Sequence, residues 1–551
     1  MPQTSPQSDS TQTTEQFDAV IVGAGFAGLY MLHKLRNMGM SCRVFEAADN
    51  VGGTWYWNRY PGARCDAESL AYSYSFSPEL EQDWEWSERY ASQPEILRYI
   101  EHVAERFDLR RDIRFERRVH SAHFDAAQNA WHLRTEQGDQ VRARFCIMAT
   151  GCLSVPTLPN IEGLEQFSRA RYQASAWPHE GVDFSGLRVG VIGTGSSAIQ
   201  AIPVMAEQAA QLTVFQRTPN FSVPAKNAPL DPSFVQAFKE HYRDHRDYHQ
   251  RGLSSGFGDL SVIPEQNVPG AESGHALSQS EVNAICQRFW DQGGARFMGA
   301  IADAIIDPAA NEKVATFVRQ QIQQLVKDPE TAAALSPDNH PIGTRRICVD
   351  TDYYATYNRP NVELVNLLKT PIEHITATGI QTSARHHELD ALVLATGFDA
   401  MTGALARIDI RGTDGATLKE QWQDGPRTYL GLMASGFPNF FMITGPGSPS
   451  VLSNMMVSIE QHVDFIAAAL SHMQDHQQQR VEAQPQAQDQ WVAHVNEIAD
   501  ATLFPQGGSW YLGANVEGKP RVFMPYAAGV GAYREACDAI AADNYRGFAF
   551  A

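Results

Sequence analysis

Cysteine is scarce in this chain, and the patterns that would give its cysteines a chemical role are missing. The 551 residues contain seven cysteines, at positions 42, 65, 146, 152, 286, 348 and 537. No Cys-x-x-Cys pair occurs, so the usual zinc and dithiol motifs are absent. We therefore expect reduced thiols, no metal site and a cytoplasmic location.

Long apolar runs and an excess of positive charge are also lacking. No stretch reaches the roughly 18 uninterrupted apolar residues of a membrane span. Residues 1–16 have neither the basic nor the apolar region of a signal peptide, and we predict a disordered tail there. The 44 Lys and Arg against 63 Asp and Glu give a net charge of −19, which argues against nucleic acid as a partner.

The sequence does contain two copies of a strand–turn–helix–strand pattern typical of dinucleotide binding. In the first copy, a β-branched run at 17–22 leads into Gly23-x-Gly25-x-x-Gly28, then a helical pattern and a second strand that ends at Glu46. The glycines allow a tight turn, the approach of a pyrophosphate and close helix packing. Glu46 can bind both ribose hydroxyls and would repel a 2′-phosphate, which favours FAD or NAD.

A segment rich in glycine and aromatic residues follows Glu46. Residues 52–62 read GGTWYWNRYPG, and Asp66 lies just beyond them. Paired glycines and clustered aromatic rings so soon after a ribose-binding acid suit a loop that lies along a flavin. An isolated Asp at such a place would ordinarily cap a helix.

The second copy covers residues 187–217 and differs where the ribose would bind. Its turn reads Gly193-Thr-Gly195-Ser-Ser-Ala198, in which alanine still allows close helix packing. The following strand ends at Arg217 without an acid. A 2′-phosphate is then not repelled, and the guanidinium can bind it, so this unit favours NADPH.

Two dinucleotide units in one chain indicate an α/β protein in which NADPH reduces FAD. No dithiol is available as the next electron carrier, so oxygen is the natural acceptor. Helical patterns dominate residues 229–339 and predict a mostly helical insertion. The predicted domains are an FAD domain (17–155 and 390–551), an NADP domain (156–228 and 340–389) and the insertion (229–339).

Several segments spread over the chain resemble the Baeyer–Villiger monooxygenases. They are GGTWYWNRYPGARCD (52–66), ERYASQPEILRYI (88–100), VIGTGSSAIQ (191–200), VFQRTPNF (214–221), DYYATYNRPNV (352–362), ATGFDAMTGAL (395–405), GPGSPSVLSNM (445–455) and SWYLGANVEGKPRVFMPY (509–526). The resemblance implies two Rossmann-like domains and a reaction in which NADPH and O2 place an oxygen atom beside a ketone carbonyl. A peroxide formed at flavin C4a would do this and yield an ester or lactone, and sulfides can also be oxidised.

The resemblance also assigns roles to individual residues. Arg346 would be the active-site cation, which favours an anionic peroxide and stabilises the oxyanion of the ketone adduct. Asp66 would orient Arg346. Arg345 would reach the NADP 2′-phosphate together with Arg217, and Trp510 would lie on a mobile loop that closes over the nicotinamide.

The complete set of predicted contacts is as follows. FAD would contact Gly23, Gly25, Gly28, Glu46, Gly53, Thr54, Trp55, Asp66, Tyr72, Val119 and Met455. NADP would contact Gly193, Thr194, Gly195, Ser196, Ser197, Arg217, Thr218, Arg345 and Trp510. The substrate pocket would be lined by Ser450, Val451 and Leu452.

One departure from the family pattern lies between the two nucleotide units. The family fingerprint FxGxxxHxxxWP is matched by Phe167, Trp177 and Pro178, but Arg169 replaces the glycine and Gln173 the histidine. Arg169 is expected to be strained if the glycine has positive φ, and Gln173 cannot titrate.

Alternatives therefore stay open: a nitrogen- or sulfur-oxygenating flavin monooxygenase, or an uncoupled NADPH oxidase or flavin sensor. The preferred ketone is not determined by the sequence, nor is the oligomeric state, although a monomer is compatible with it.

Overall fold

The first of two large sheets carries the first predicted nucleotide unit. The computed structural model describes residues 14–263 and 267–551. The strand Glu15–Val22 pairs in parallel with Cys42–Phe45 on one side and Gln140–Met148 on the other. The spatial order of the sheet is Asp409–Arg411, Val119–Asp125, Ala130–Thr135, Gln140–Met148, Glu15–Val22, Cys42–Phe45 and Ile113–Arg114, with Phe440–Met442 also paired to Gln140–Met148.

The N-terminal strand is longer than predicted. It begins at Glu15, because Glu15 and Gln16 pair with Val141 and Arg142 of the neighbouring strand, so these two residues do not belong to a disordered tail. The remainder of the predicted tail, residues 1–13, lies outside the described residues.

The second sheet carries the second unit and corrects one predicted boundary. Its five parallel strands are, in spatial order, Val362–Asn366, Gln211–Gln216, Arg188–Ile192, Ala391–Leu394 and Ala170–Gln173. Ala391–Leu394 is fully buried and pairs with strands on both sides. The predicted boundary at residue 389 is therefore too early, because this apolar strand completes the second sheet rather than the FAD domain.

The insertion is helical, and aspartate–proline pairs begin three of its helices. Asp231, Asp307 and Asp328 each accept a backbone N–H of the first turn, and proline follows each of them. An Asp N-cap with Pro at the first helical position is a favoured helix start. The helices of the insertion are Pro232–Glu240, Tyr242–His249, Gln279–Gln292, Pro308–Leu325 and Pro329–Leu335.

The other helices cover the sheets. With the first sheet lie Phe26–Asn37, Thr54–Trp57, Pro78–Asp83, Gln93–Arg106, Gly403–Ala406, Leu418–Gln421, Met455–Asp475, Pro485–Asp500 and Val530–Ala542, and with the second lie Ser196–Gln208 and Tyr353–Thr356. Small sheets join Ser222–Pro224 to Cys348–Asp350, Val481–Ala483 to Phe548–Phe550, and Ile372–Thr376, Gly379–Thr382 and His386–Glu388 to one another.

The described residues contain neither a membrane-spanning helix nor a cluster of metal ligands. No helix within residues 14–263 and 267–551 combines the length and the apolar character needed to cross a bilayer. Among those residues, no three His, Cys, Asp or Glu side chains come close enough together to hold a metal ion.

Candidate active site

The first glycine turn forms an open cradle at the start of Phe26–Asn37. Gly23 has φ of +106°, and a Cβ at Gly28 would lie 1.8 Å from the Gly23 carbonyl oxygen, so both positions require glycine. Gly25 precedes the helix and offers no side-chain cap to its first N–H groups. Uncapped N–H groups at a helix N-terminus are suited to a phosphate, and the residues therefore fit a dinucleotide.

Glu46 ends the second strand and lies beside this turn. Its two carboxylate oxygens accept the backbone N–H groups of Ala24 (2.6 Å) and Ala48 (2.8 Å). Burial raises the pKa of Glu46, and these hydrogen bonds act in the opposite direction. A carboxylate accepts about four hydrogen bonds. The two bonds therefore fix the side chain and leave capacity for ribose hydroxyls.

The aromatic segment packs directly against the first turn. A Cβ at Gly53 would lie 3.0 Å from the Gly25 Cα, and Gly53 has φ of +52°. The Trp55 indole N–H donates to the Tyr72 hydroxyl at 3.1 Å. These predicted flavin contacts are therefore close to the cradle, with Thr54 exposed beside them.

Two further predicted FAD contacts, Val119 and Met455, lie outside the aromatic segment. Val119 packs in the cluster that contains Val20 and Val22, whereas Trp55 and Tyr72 pack in the cluster of Ala19 and Ile21, on the opposite face of the same strand. Met455 begins the helix Met455–Asp475, next to both the FAD-unit core and the cluster of Val451 and Trp510.

The second cradle repeats the geometry of the first. Gly193 has φ of +114°, and a Cβ there would lie 2.4 Å from the Ala395 carbonyl oxygen, just as one at Gly23 would meet the Ala149 oxygen at 2.5 Å. The two Ala-Thr-Gly sequences at 149–151 and 395–397 thus cover equivalent turns. A Cβ at Gly195 would meet nothing within 4 Å, which leaves room for a pyrophosphate.

The remaining predicted NADP contacts surround that opening. Ser196 and Ser197 begin the helix, and the Ser196 hydroxyl lies 3.4 Å from the Cys348 sulfur. The Thr194 hydroxyl donates to the Thr218 carbonyl oxygen at 2.9 Å, which holds the turn against the end of the next strand.

Two arginines near the second cradle are close enough for the charge of one to act on the other. Arg217 is exposed at the end of its strand. Burial lowers the pKa of Arg345, and the positive charge of Arg217 lowers it further. Neither arginine forms an ion pair with a carboxylate in the part of the chain that the structure describes. Two uncompensated cations held close together are suited to a phosphate.

Arg346 and Asp66 form a two-bond ion pair across 280 residues of sequence. The Arg346 Nε and Nη2 atoms donate to the two Asp66 carboxylate oxygens at 2.8 and 2.9 Å, and Nη1 donates to the Val451 carbonyl oxygen at 2.6 Å. The side chains are 19% and 23% exposed. Burial disfavours the guanidinium charge, but Asp66 outweighs it and raises the pKa of Arg346. The result is a fixed, permanent cation.

Two aromatic residues beside Arg346 were not predicted from the sequence. The Phe257 ring centroid lies 4.1 Å from the Arg346 guanidinium carbon, so the ring covers one face of the cation. The buried Tyr511 hydroxyl also lies near Arg346, and burial raises the pKa of Tyr511 to about 12. An aromatic residue within a Gly- and Ser-rich stretch was the sequence signal for Phe257.

The predicted substrate-pocket residues form one short turn, Ser450–Leu452. Val451, Leu452, Trp510 and Tyr511 share an apolar cluster next to Arg346. Ser450 is fully buried, and its hydroxyl lies 3.0 Å from the Cys152 sulfur. The Ser450 side chain therefore contacts other residues of the protein interior.

The loop that carries Trp510 is tied to Arg345. The Arg345 Nε donates to the Gly507 carbonyl oxygen at 2.8 Å, and Nη2 lies 3.4 Å from that of Gly508. Gly508 and Gly513 both have positive φ, at +50° and +69°, so the loop bends where glycine is required.

The altered fingerprint residues are accommodated without backbone strain. Arg169 is exposed and is not among the residues with positive φ, so the strain expected from losing the glycine does not occur. Gln173 ends the strand Ala170–Gln173 and pairs with Leu394 of the second sheet.

This chain is similar to known proteins over nearly its full length. The profile of the family "Pyridine nucleotide-disulphide oxidoreductase" matches residues 20–251. A "Baeyer-Villiger monooxygenase" of Pseudooceanicola batsensis is 40% identical and covers 98% of this chain and 97% of its own. "Phenazine N-monooxygenase PhzNO1" of Lysobacter antibioticus is 40% identical over 97% of this chain and 96% of its own. The solved structure "Oxidized steroid monooxygenase bound to NADP" is 50% identical, with a TM-score of 0.91 over 97% of this chain and 99% of its own.

Proposed function

Since this chain belongs to the Baeyer–Villiger monooxygenase family, and is thus an FAD-dependent monooxygenase that uses NADPH, we propose that Arg346 and Asp66 perform its chemistry on ketones. One oxygen atom of O2 enters beside the ketone carbonyl to give an ester or a lactone. The other leaves as water, with NADPH supplying the two electrons. The observation that supports this proposal is the partly buried Arg346–Asp66 ion pair, whose guanidinium also donates to the Val451 carbonyl oxygen.

Arg346 acts through a charge whose position is fixed. When bound, NADPH supplies the hydride and FAD supplies the activated oxygen. The guanidinium favours the anionic form of the attacking oxygen and stabilises negative charge that develops on the ketone carbonyl oxygen. Asp66 and the Val451 carbonyl hold three of its N–H groups, so the cation needs no reorganisation during the reaction.

Arg217 and Arg345 select the coenzyme in this proposal. Their mutual repulsion is relieved by a 2′-phosphate, which NADPH has and NADH lacks. Glu46 selects against that phosphate at the other unit, where FAD binds. All seven cysteines are unpaired and buried, which supports a reducing compartment such as the cytoplasm.

Oxygenation of nitrogen is the second candidate, because one full-length relative at 40% identity is named a phenazine N-monooxygenase. That chemistry would need a protonated, electrophilic oxygen, whereas the positive charge of Arg346 would favour an anionic, nucleophilic one. An uncoupled NADPH oxidase is less supported, since Arg169 carries no left-handed strain.

A turnover experiment separates these functions. The yellow protein is reduced with NADPH without oxygen, and air is then admitted together with ketones, sulfides or amines. We expect flavin bleaching by NADPH, and esters in amounts that match NADPH consumption. Hydrogen peroxide as the sole product would refute the proposal, and amine N-oxides without esters would establish the second candidate.

Arg346→Ala tests the residue assignment. The variant should still be reduced by NADPH but should form no ester. Arg188→Ala is the matched control, because Arg188 makes an equivalent two-bond ion pair with Asp390 in the second unit.

A further inference from the structure

A loop of the helical insertion, residues 252–263, covers the active-site cation. Its Phe257 ring lies 4.1 Å from the guanidinium carbon of Arg346. The carboxylate of Asp259 accepts two backbone N–H groups of the same loop, at 2.9 and 3.0 Å, which shapes the turn that presents the ring. The loop is therefore ordered locally, but Asp259 does not tie it to the FAD unit.

The FAD unit holds the two ends of the loop differently. Backbone N–H groups of Asn454, Val530 and Gly531 donate to the carbonyl oxygens of residues 252–254, and a buried carboxylate holds the other end. Glu68 is 4% exposed and accepts the Arg89 Nε–H at 2.7 Å. It also accepts the hydroxyl of Ser261 at 2.9 and 3.1 Å, and the backbone N–H of Val262. A buried carboxylate needs such donors. In this case two of them come from the loop of another domain.

Glu68 lies two residues after Asp66 in a segment that is itself held in place. The Ser69 N–H donates to the Arg89 carbonyl oxygen at 2.7 Å, and the Ser69 hydroxyl lies 3.0 Å from that same oxygen. Within one short segment, Asp66 therefore contacts the edge of the Arg346 guanidinium, and Glu68 contacts the loop that covers one face of that guanidinium.

We propose that Glu68 is a positioning residue for the oxygenation reaction, because it fastens the insertion loop through Ser261 and Val262 and so keeps Phe257 over Arg346. The ring excludes water from one face of the cation. Less water means less screening of its charge, so Arg346 stabilises the reacting oxygen atoms more strongly. This inference rests on the proposed function of Arg346.

Ser261→Ala is the primary test, since it leaves the Glu68–Arg89 ion pair intact. The change removes the hydroxyl bond to Glu68 and the bond that the same hydroxyl accepts from the Ile263 N–H. Ser261→Thr retains the hydroxyl and should restore the behaviour of the unaltered protein. Ser75→Ala is the matched control, because Ser75 also donates its hydroxyl to a buried glutamate, at 2.6 Å.

The expected results distinguish positioning from general stability. In Ser261→Ala holoenzyme, the amides of residues 254–263 should exchange with deuterium at least about tenfold faster, as expected for a lost hydrogen bond to a charged acceptor. The fraction of NADPH converted to ester should fall while anaerobic flavin reduction keeps its rate. Glu68→Gln should shift both quantities in the same direction.

Two outcomes would overturn the proposal. One is unchanged loop exchange and ester yield in Ser261→Ala, and the other is an equal loss of ester in Ser75→Ala. If the unaltered enzyme makes no ester from any ketone, the proposed function itself fails, and deuterium exchange alone still decides whether Glu68 fastens the loop.

Discussion

Asp66→Asn isolates the contribution of the carboxylate that holds Arg346. Asparagine has nearly the same shape, but it keeps one acceptor oxygen and places an NH2 group where the second oxygen stood. One of the two Arg346 N–H groups, now 2.8 and 2.9 Å from the carboxylate, would then face another donor. The guanidinium stays charged, because arginine does not deprotonate in proteins.

The size of the effect follows from burial. Removing one partner of a buried ion pair costs about 3–5 kcal/mol. Because the two side chains keep 19% and 23% exposure, we expect the lower end of that range, about 3 kcal/mol in the free energy of unfolding. A similar loss of transition-state stabilisation would slow ester formation about a hundredfold.

The assay compares the rate of flavin reduction, the rate of ester formation and the free energy of unfolding. Anaerobic flavin reduction by NADPH should be unchanged, since the roles proposed for Asp66 and Arg346 concern the oxygenation step, whereas the rate of ester formation should fall. Asp390→Asn is the control, because Asp390 holds Arg188 through two bonds of 2.9 and 2.8 Å outside the site. Ester formation at the unaltered rate in Asp66→Asn, or an equal loss in the control, would refute the assigned role.

Three further predictions concern other parts of the molecule. Replacing Arg217 with Ser should raise the KM for NADPH by about 10- to 100-fold and leave the KM for NADH unchanged, because the change removes a charge-assisted bond to the 2′-phosphate. Equal changes for both coenzymes would contradict this. Gly195→Ala should weaken NADPH binding without loss of stability, since its Cβ would meet only open space. Gly193→Ala should instead destabilise the protein, because its φ is +114° and its Cβ would lie 2.4 Å from a carbonyl oxygen. Coenzyme titration checks the first variant and thermal unfolding checks both. Burial raises the pKa of Glu460 from 4.5 to about 7, so the folded state binds this proton more tightly than the unfolded state does. The free energy of unfolding should therefore fall as pH rises from about 4.5 to about 7. In Glu460→Gln this free energy should depend less steeply on pH, and an identical pH dependence would exclude Glu460 as the cause.

Features that depend on local chain geometry could be predicted from the sequence. The glycine turns, the acid at Glu46 and its absence at Arg217 are set by a few adjacent residues, and the φ values and Cβ distances at Gly23 and Gly193 agree with that interpretation. Helix starts such as Asp307-Pro follow from equally local chemistry.

Contacts between distant side chains depend on the tertiary structure, although the family resemblance already pairs Asp66 with Arg346. The Arg346–Asp66 pair spans 280 residues, and Phe257 reaches Arg346 from another domain. The place of the strand Ala391–Leu394 in the second sheet was not predicted, because its partner strands lie about 200 residues earlier in the chain. Local spacing sets the geometry of a turn or a helix face. The packing of whole sheets and helices decides which distant side chains meet, and thus where Arg346 is held.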